Sequence, residues 1–456
     1  DSDADTDSDA DTDSDADTDS DADTDSDADT DELPPDSGIG INLNFPEAGG
    51  TFVDVVKENY RWTKDGDTLS SAQVDEKGWP TVDADFVWDN RPVAEWNDEI
   101  DDPEEYRVDV SGRYACSFLG QADVTGTTGC TVENLVYDAA MNTTTFDFVV
   151  PGPPGPGHGF IIIHFGNTRR TADDTAESGF TGFRMLRPGY PRDTDKIFTD
   201  EFLAAVRGVA FEAIRFMPFV GANDVEQTWP TVTEWSQRKL LDDASQAGIP
   251  QIGKYGNAAW ELVVELGNTL RRDIWICIPN SATEDYVRQL AQLVYDNLDA
   301  DLNVYLENSN EVWNGIFPQQ PWNVAEAADL GIGEHENHAR RTVRLAQIFG
   351  EVFGEAAINQ RIRAILCSHQ PMLKWWVVPM LEYVDSTIGD PAGLLYGISS
   401  QAYFSMPMED GQTVEQILSA ARDNITAQID ETGGTNESGR MQWIATAAQW
   451  HLPGGY

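Results

Sequence analysis

The sequence predicts an α/β protein whose larger domain is a (β/α)8-type TIM barrel, with an all-β sandwich domain inserted after the first barrel strand. Two observations carry this prediction. Between residues 46 and 194, short runs of alternating apolar and polar residues are separated by Gly, Asp and Thr clusters, which is typical of a β-sandwich. From residue 195 to residue 456, strand-like apolar runs alternate with amphipathic stretches, which indicates a parallel sheet with right-handed crossovers.

Residues 1–37 are predicted to be a disordered acidic linker. Residues 1–30 repeat the hexapeptide DSDADT five times, a composition too polar to form a packed core. The D-x-D-x-D spacing also resembles the start of a calcium-binding loop, but the Gly and the Glu that such loops require are missing. Calcium binding is therefore the weaker alternative, and the repeat is expected to act as a tether at a cell surface.

The first barrel strand is predicted at 38–45, which contains the sequence INLNF. Alternating runs at 106–118, 132–138, 144–150 and 160–166 predict strands of the sandwich.

Six further apolar runs predict the remaining barrel strands: 211–219, 274–279, 303–308, 362–369, 394–404 and 441–450. Together with 38–45 they make seven, so either the last unit is cut off or the barrel is open. Between the strands, 283–298 has the i, i+3, i+4 and i+7 apolar spacing of a helix, and Thr283 is its predicted N-cap.

The charge of the chain is extreme. The formal net charge is −50, and removing the 15 aspartates of the repeat still leaves about −35. The basic residues are 7 lysines and 22 arginines. An acid-rich, lysine-poor surface suits a protein that stays hydrated in concentrated salt, so we expect a halophilic source and a secreted or cell-surface location. The same balance excludes nucleic acid as a partner.

No apolar run is long enough to span a membrane, and no signal peptide is recognised. Cys116 and Cys130 flank a turn-rich segment and either pair in an oxidising setting or stay free, whereas Cys277 and Cys367 lie in apolar runs and are predicted to be buried thiols. No metal site and no cofactor are predicted, because the sequence lacks a CxxC or His/Cys cluster.

The segment 303–317, NVYLENSNEVWNGIF, carries the candidate chemistry. Glu307 and Glu311 lie on one face of the predicted strand, at the carboxyl end where barrels of this type bind ligands. For Glu307 we expect an internal ion pair with an arginine. For Glu311 we expect a role in a site, because Asn310 can bind a sugar hydroxyl and Trp313 offers a flat apolar face.

The Asn310–Glu311 pair at the end of a predicted fourth strand resembles the acid/base signature of the large clan of retaining glycoside hydrolases that includes many cellulases. The longer string S-N-E-V-W-N at 309–314 resembles a narrower group of secreted microbial proteins described as cellulose-binding or glycosidase-like. Other pieces are similar to that group in order along residues 38–456: INLNF at 41–45, FVDVVKENYRW at 52–62, SGRY at 111–114, FRMLRPG at 183–189, IRFMPF at 214–219 and IWICIPNSATEDYVRQLA at 274–291.

The resemblance implies roles for several residues. Glu311 would be the general acid/base and Asn310 the partner of the sugar 2-hydroxyl. Arg215 would hold the nucleophile ionised, and Tyr403 would hydrogen-bond near it. Apart from the resemblance, Trp322 in the loop after the strand offers a second flat apolar face suited to a sugar ring.

The family's strand-seven pattern exposes a departure. Aligning A-Y-E-G-G-Q-H-L with 445–452 matches His451 and Leu452 and places Ala447 where the nucleophilic Glu should be. Alanine cannot form a glycosyl-enzyme bond, so a retaining mechanism would need another acid. The alternatives are Glu307, which shares a strand with Glu311, and the loop acids Glu431 and Glu437.

The expected function is therefore that of an extracellular glycoside hydrolase-like protein acting on β-linked polysaccharide, with a non-catalytic polysaccharide-binding protein as the alternative. Four further side chains are weaker candidates. His369 either reaches a ligand or is structural, and Trp375 is either a sugar platform or part of the core. His335 and His338 are expected to be exposed, because H-E-N-H lacks the H-E-x-x-H metal spacing.

Overall fold

The computed structural model describes residues 39–46, 50–58, 62–89, 109–127, 129–152, 160–225, 233–400, 409, 411–430 and 439–455, all of which belong to one compact unit. Its strands are β1 (Ile39–Asn42), β2 (Trp62–Lys64), β3 (Asp67–Thr68), β4 (Ala84–Asp89), β5 (Gly112–Leu119), β6 (Gln121–Gly126), β7 (Thr131–Asp138), β8 (Thr143–Val150), β9 (Phe160–Arg169), β10 (Thr181–Leu186), β11 (Phe211–Arg215), β12 (Asp273–Ile278), β13 (Val304–Asn308), β14 (Ile362–Ser368), β15 (Gly397–Ser400) and β16 (Gly454–Gly455). Its α-helices are α1 (Asp200–Arg207), α2 (Trp260–Leu270), α3 (Glu284–Asn297), α4 (Gln319–Leu330), α5 (Glu334–Phe353), α6 (Val378–Tyr383), α7 (Pro391–Leu394), α8 (Val414–Asp430) and α9 (Arg440–Gln449).

The prediction of a closed (β/α)8 TIM barrel is wrong for the part of the chain described. Seven strands form one open sheet in the order β1-β11-β12-β13-β14-β15-β16, and every neighbouring pair in it is parallel. Closure would require the two edge strands β1 and β16 to pair with each other or through an eighth strand. β16 is only two residues long and pairs with β15 alone.

The predicted strand at 441–450 is also wrong, because this segment forms helix α9. Trp443 and Ala447 are the buried residues of α9, four positions apart, whereas Met441 and Ile444 are exposed. A spacing of four places two side chains on one face of a helix, and strand alternation would have separated buried and exposed residues differently.

Six of the seven parallel strands form where apolar runs were found: five have shorter bounds, and β12 is shifted by one residue, whereas β16 was not predicted. β13 is buried along all five of its residues, as expected for a central parallel strand covered on both faces. Helix α3 confirms the helix predicted at 283–298. Its N-cap is Thr283, whose side chain accepts a hydrogen bond from the backbone N–H of Tyr286 at 3.2 Å.

Two antiparallel sheets occupy the chain between β1 and β11. One contains four strands in the order β10-β5-β8-β7 and the other contains five in the order β3-β2-β4-β9-β6. In β8 every second residue is buried, including Phe146 and Phe148, which belong to one hydrophobic core with Phe165 of β9. The Phe146 and Phe165 rings meet edge to face, with centroids 6.5 Å apart. Cys116 and Cys130 are free thiols in this region.

Helix α5 supports the sheet below the candidate site. It packs against β13 and β14 through a buried face that includes His338, Ala339 and Thr342. None of the helices in the described part of the chain combines the length and the apolar character that a membrane crossing needs.

Candidate functional site

A cleft of about 490 Å³ lies at the carboxyl end of the parallel sheet. Residues from the ends of six neighbouring strands and from the first turn of α9 line it, among them Asn42, Arg215, Trp275, Glu311, Trp313 and Arg440. The carboxyl ends of parallel strands share one edge of a sheet, which explains how residues far apart in sequence meet here. Open α/β sheets bind ligands at this edge, so the cleft is the candidate site.

The chain turns sharply where β13 ends, and the turn carries the candidate residues. Ser309 and Glu311 have φ of 56° and 45°, in the left-handed region that non-glycine residues rarely adopt. Each such residue costs on the order of 1–2 kcal/mol. Surrounding hydrogen bonds hold the turn in place: the Ser309 N–H donates to the Ile278 carbonyl at 2.7 Å, and the Asn314 N–H donates to the Glu311 carbonyl at 2.8 Å.

Glu307 lies at the base of the cleft in an ion pair with Arg215, as the sequence predicted for this acid. Its two carboxylate oxygens each accept a hydrogen bond at 2.8 Å from the Arg215 guanidinium. The Trp275 indole N–H and the Cys277 thiol donate to the same carboxylate at 2.8 and 3.2 Å. Burial acts to raise the pKa of Glu307, but the charge and hydrogen bonds of Arg215 outweigh it and hold that pKa below its ordinary value.

Glu311 has a different environment, although it is only four residues away. It is half-buried, it lines the cleft, and its carboxylate accepts a hydrogen bond from the Asn314 side-chain amide at 2.7 Å. It forms no ion pair with any residue that the structure describes. A carboxylate with one amide partner keeps free lone pairs for a ligand hydroxyl.

Asn310 is 5% exposed and acts mainly as a structural link. Its side-chain oxygen accepts from Arg215 at 3.0 Å, and its amide group donates to the Asn223 side-chain oxygen at 3.1 Å. Gln319, at the start of α4, donates both to that Asn223 oxygen and to the Asn310 carbonyl. Asn310 thus ties the Glu307–Arg215 pair to the following loop.

Trp313 and Trp275 supply the aromatic surface of the cleft. Trp313 is half-buried and packs edge to face against the His338 ring, with centroids 6.2 Å apart. Trp275 stacks on Tyr305 with centroids 5.5 Å apart. Of the other predicted tryptophans, Trp322 lies on α4 beneath the Arg341 guanidinium, 4.7 Å from its ring, and is not among the residues that line the cleft.

Two further predicted residues that the structure describes, His369 and His451, lie away from the cleft. His369 is exposed directly after β14, and His451 is exposed after α9 with φ of 56°. Neither is among the lining residues. Tyr403, Glu431 and Glu437 lie outside the described residues.

The structure places Ala447, the predicted nucleophile position, away from the cleft. Ala447 lies inside α9, is 3% exposed and packs in the main hydrophobic core. It does not line the cleft, so a glutamate at this position would be buried in apolar surroundings instead of facing a ligand. Arg215, which the resemblance placed beside the nucleophile, pairs with Glu307.

Sequence reasoning missed two residues that shape the site. Arg440 lines the cleft from the first residue of α9, which was taken for a strand. His338 is buried, not exposed as predicted: its Nδ1 accepts from the Asn308 amide at 3.0 Å, and its Nε2–H donates to the Cys367 carbonyl at 3.1 Å. It therefore links the carboxyl ends of β13 and β14, and burial lowers its pKa to about 4.

The helical period of α5 could have indicated that His338 is buried, because Asn337, Ala339 and Thr342 are buried with it. No comparable signal identified Arg440.

Comparison of the chain with protein-family models, with curated proteins and with solved structures returned no match.

Proposed function

We propose that the protein binds β-linked polysaccharide in the cleft at the carboxyl end of its parallel sheet. The observation that carries the proposal is that Glu311 and Trp313 both line the cleft, two residues apart in the chain. A half-buried carboxylate without an ion pair stands two residues from an indole that lines the same cleft. Sugars present hydroxyl donors at the ring edge and C–H groups on the ring face, and these two side chains complement both.

Binding is better supported than hydrolysis. A retaining glycoside hydrolase needs a second carboxylate about 5–5.5 Å from the acid/base, on the other side of the scissile bond. The described lining holds two carboxylates, Glu307 and Glu311. Glu307 is 3% exposed and four donors occupy its oxygens, which leaves it unable to attack a sugar carbon.

Hydrolysis with Glu311 as general acid/base is the second candidate, and the backbone at Glu311 favours it. A left-handed φ of 45° at a glutamate is a conformation that proteins keep mostly where a side chain must be held in one direction. The resemblance of S-N-E-V-W-N to glycosidase-like proteins points to the same role.

A binding titration tests the first candidate. Soluble β-glucan, xylan and mannan oligosaccharides would be titrated in molar NaCl by calorimetry against the wild type, Glu311→Gln and Trp313→Ala. We expect each substitution to weaken binding about tenfold or more, the loss of one charge-assisted hydrogen bond or one aromatic contact. Glu415→Gln and Tyr295→Ala, which remove an exposed acid and an exposed ring on α8 and α3, are the matched controls.

The same samples separate the two candidates. If reducing ends accumulate with the wild type and disappear with Glu311→Gln, the protein is a hydrolase. Binding without release supports the non-catalytic role. Absence of both on every glycan, with the protein folded, would contradict the proposal.

We also propose a secreted or cell-surface location in a halophile. The net charge of −50 and the excess of 79 acids over 29 basic residues support the halophilic source, because a densely acidic surface stays hydrated in concentrated salt. Unfolding midpoints that rise steadily with KCl concentration into the molar range are expected, and a midpoint independent of salt would count against it.

A further inference from the structure

Of the two arginines in the described lining of the cleft, Arg440 is the one without a counter-ion among the described residues. Its guanidinium makes no hydrogen bond and no ion pair with any residue that the structure describes, and its Nε is buried without a partner. Most arginines in the described part of the chain form ion pairs, including Arg215 at the base of the same cleft. In a chain with 79 acids, a lining arginine left unpaired is unusual.

The position of Arg440 at the start of a helix adds to the positive electrostatic potential at this wall of the cleft. It is the first residue of α9, a helix of ten residues, so the positive end of the helix dipole lies at the same wall of the cleft. Burying part of a guanidinium without a partner is unfavourable, and a ligand oxyanion would supply the missing acceptor.

Among the residues that the structure describes, the positive and negative charges that line the cleft are equal in number, unlike those of the whole chain. Glu307 neutralises Arg215, which leaves the carboxylate of Glu311 and the guanidinium of Arg440. The described lining is therefore close to neutral in a protein whose formal charge is −50. Removing Arg440 would give it the negative sign of the rest of the surface.

We infer that the cleft selects an acidic glycan, with Arg440 holding an oxyanion on the sugar while Glu311 accepts hydrogen bonds from neutral hydroxyls. The inference rests on the proposed function and adds the substrate class. The guanidinium fork matches the two oxygens of a uronate carboxylate or of a sulfate ester, so both sources share the chemistry.

Three β-linked oligosaccharides of equal length test the inference: an oligoglucoside, its 6-sulfate and the corresponding oligoglucuronate. They would be titrated into the wild type, Arg440→Gln, Arg440→Lys and Arg422→Gln in molar NaCl, where long-range attraction is screened. Arg422 is an exposed arginine of α8, so its variant removes the same charge away from the cleft.

We expect the wild type to bind at least one acidic ligand about tenfold more tightly than the neutral one. Arg440→Gln should abolish that preference, and Arg440→Lys should restore only part of it because an ammonium lacks the fork. Arg422→Gln should match the wild type. Whichever acidic ligand gains more from Arg440 identifies carboxylate or sulfate as the group bound.

Two results would overturn the inference, and they differ from failure of the proposed function. Equal affinity for all three ligands in the wild type would show that the cleft binds glycan without selecting charge. An acidic preference that survives in Arg440→Gln would place the oxyanion elsewhere. If no glycan binds to any folded variant, the proposed function itself fails.

Discussion

The sharpest consequence of the structure is that the same substitution at two glutamates four residues apart should destabilise the protein strongly at Glu307 and hardly at all at Glu311. Glu307→Gln replaces a carboxylate that accepts from four donors, two of them on Arg215. The new amide nitrogen cannot accept, and the Arg215 charge loses its counter-ion. Breaking a buried ion pair from one side costs about 3–5 kcal/mol.

The loss of stability expected for Glu307→Gln lies at the lower end of that range. The Arg215 side chain is 22% exposed, so water from the cleft partly solvates the orphaned guanidinium. We therefore expect a loss of about 3 kcal/mol. With an unfolding entropy of about 2.1 cal/mol/K per residue over about 400 residues, this lowers Tm by about 4 °C.

Glu311→Gln provides the matched comparison. Glu311 is half-buried and has an amide partner but no ion pair, so its substitution should change the free energy of unfolding by less than about 0.5 kcal/mol. Arg215→Met with Glu307→Leu removes both charges at once and should recover most of the loss, since hydrophobic replacements of buried pairs are close to neutral.

Differential scanning calorimetry in molar NaCl, supported by urea unfolding followed through tryptophan fluorescence, measures all four proteins. Equal stability of the Glu307→Gln and Glu311→Gln variants would refute the view that Glu307 is structural. A double variant as unstable as the single one would show that the cost lies in packing and not in the uncompensated charge.

Three further predictions follow from burial in and around the site. His338 is neutral in the folded protein, because its pKa of about 4 lies below the ordinary 6.5. The unfolded chain therefore binds a proton first, and the free energy of unfolding should fall as pH drops from about 6.5 toward 4. The stability difference between wild type and His338→Gln should narrow by about 2 kcal/mol between pH 7 and pH 4.5, and a constant difference would contradict the assignment. Ala447→Glu should destabilise the protein by about 3 kcal/mol or more and create no hydrolase activity, because position 447 is buried. Ala448→Glu, at an exposed position of the same helix, should be tolerated. The Tm values of the two variants test this prediction. Cys367 lines the cleft, and burial raises the pKa of its thiol, so its labelling by maleimide should be slow. Bound oligosaccharide should slow the labelling of Cys367 further and leave that of the half-buried Cys130 unchanged. Equal protection of both thiols would indicate global stabilisation.

Much of the local structure could be predicted because the apolar residues repeat with the period of a strand or with that of a helix. The alternation at 144–150 places Phe146 and Phe148 inward in β8, and the helical spacing at 283–298 gives α3 with its Thr283 cap. The expected ion pair of Glu307 followed from its depth in a buried strand, where an acid is costly without a partner.

The errors arose where short apolar runs fit both periods. The segment 441–450 mixes Ile, Thr and Trp with Ala, and only its tertiary contacts decide that Trp443 and Ala447 share a helix face. Taking it for a strand carried Ala447 into the site, and it hid Arg440 at the helix start. Sheet closure depends on pairing between the ends of the chain, which no local pattern encodes.

His338 shows a different limit. The H-E-N-H spacing, which does not fit a metal site, predicted an exposed segment. In the structure, α5 turns His338 toward Asn308 and the Cys367 carbonyl, one residue after the buried Asn337. Neighbouring charges describe one face of a helix and do not determine the burial of the next residue.

The most direct test of the central claim is a crystal structure of the protein with a β-linked oligosaccharide bound in concentrated salt. The account predicts a sugar hydroxyl within about 3 Å of a Glu311 carboxylate oxygen, with a ring face against an indole of the cleft and Arg440 beside any acidic group. A saccharide bound elsewhere on the molecule, with the cleft holding only water at saturating ligand, would contradict it.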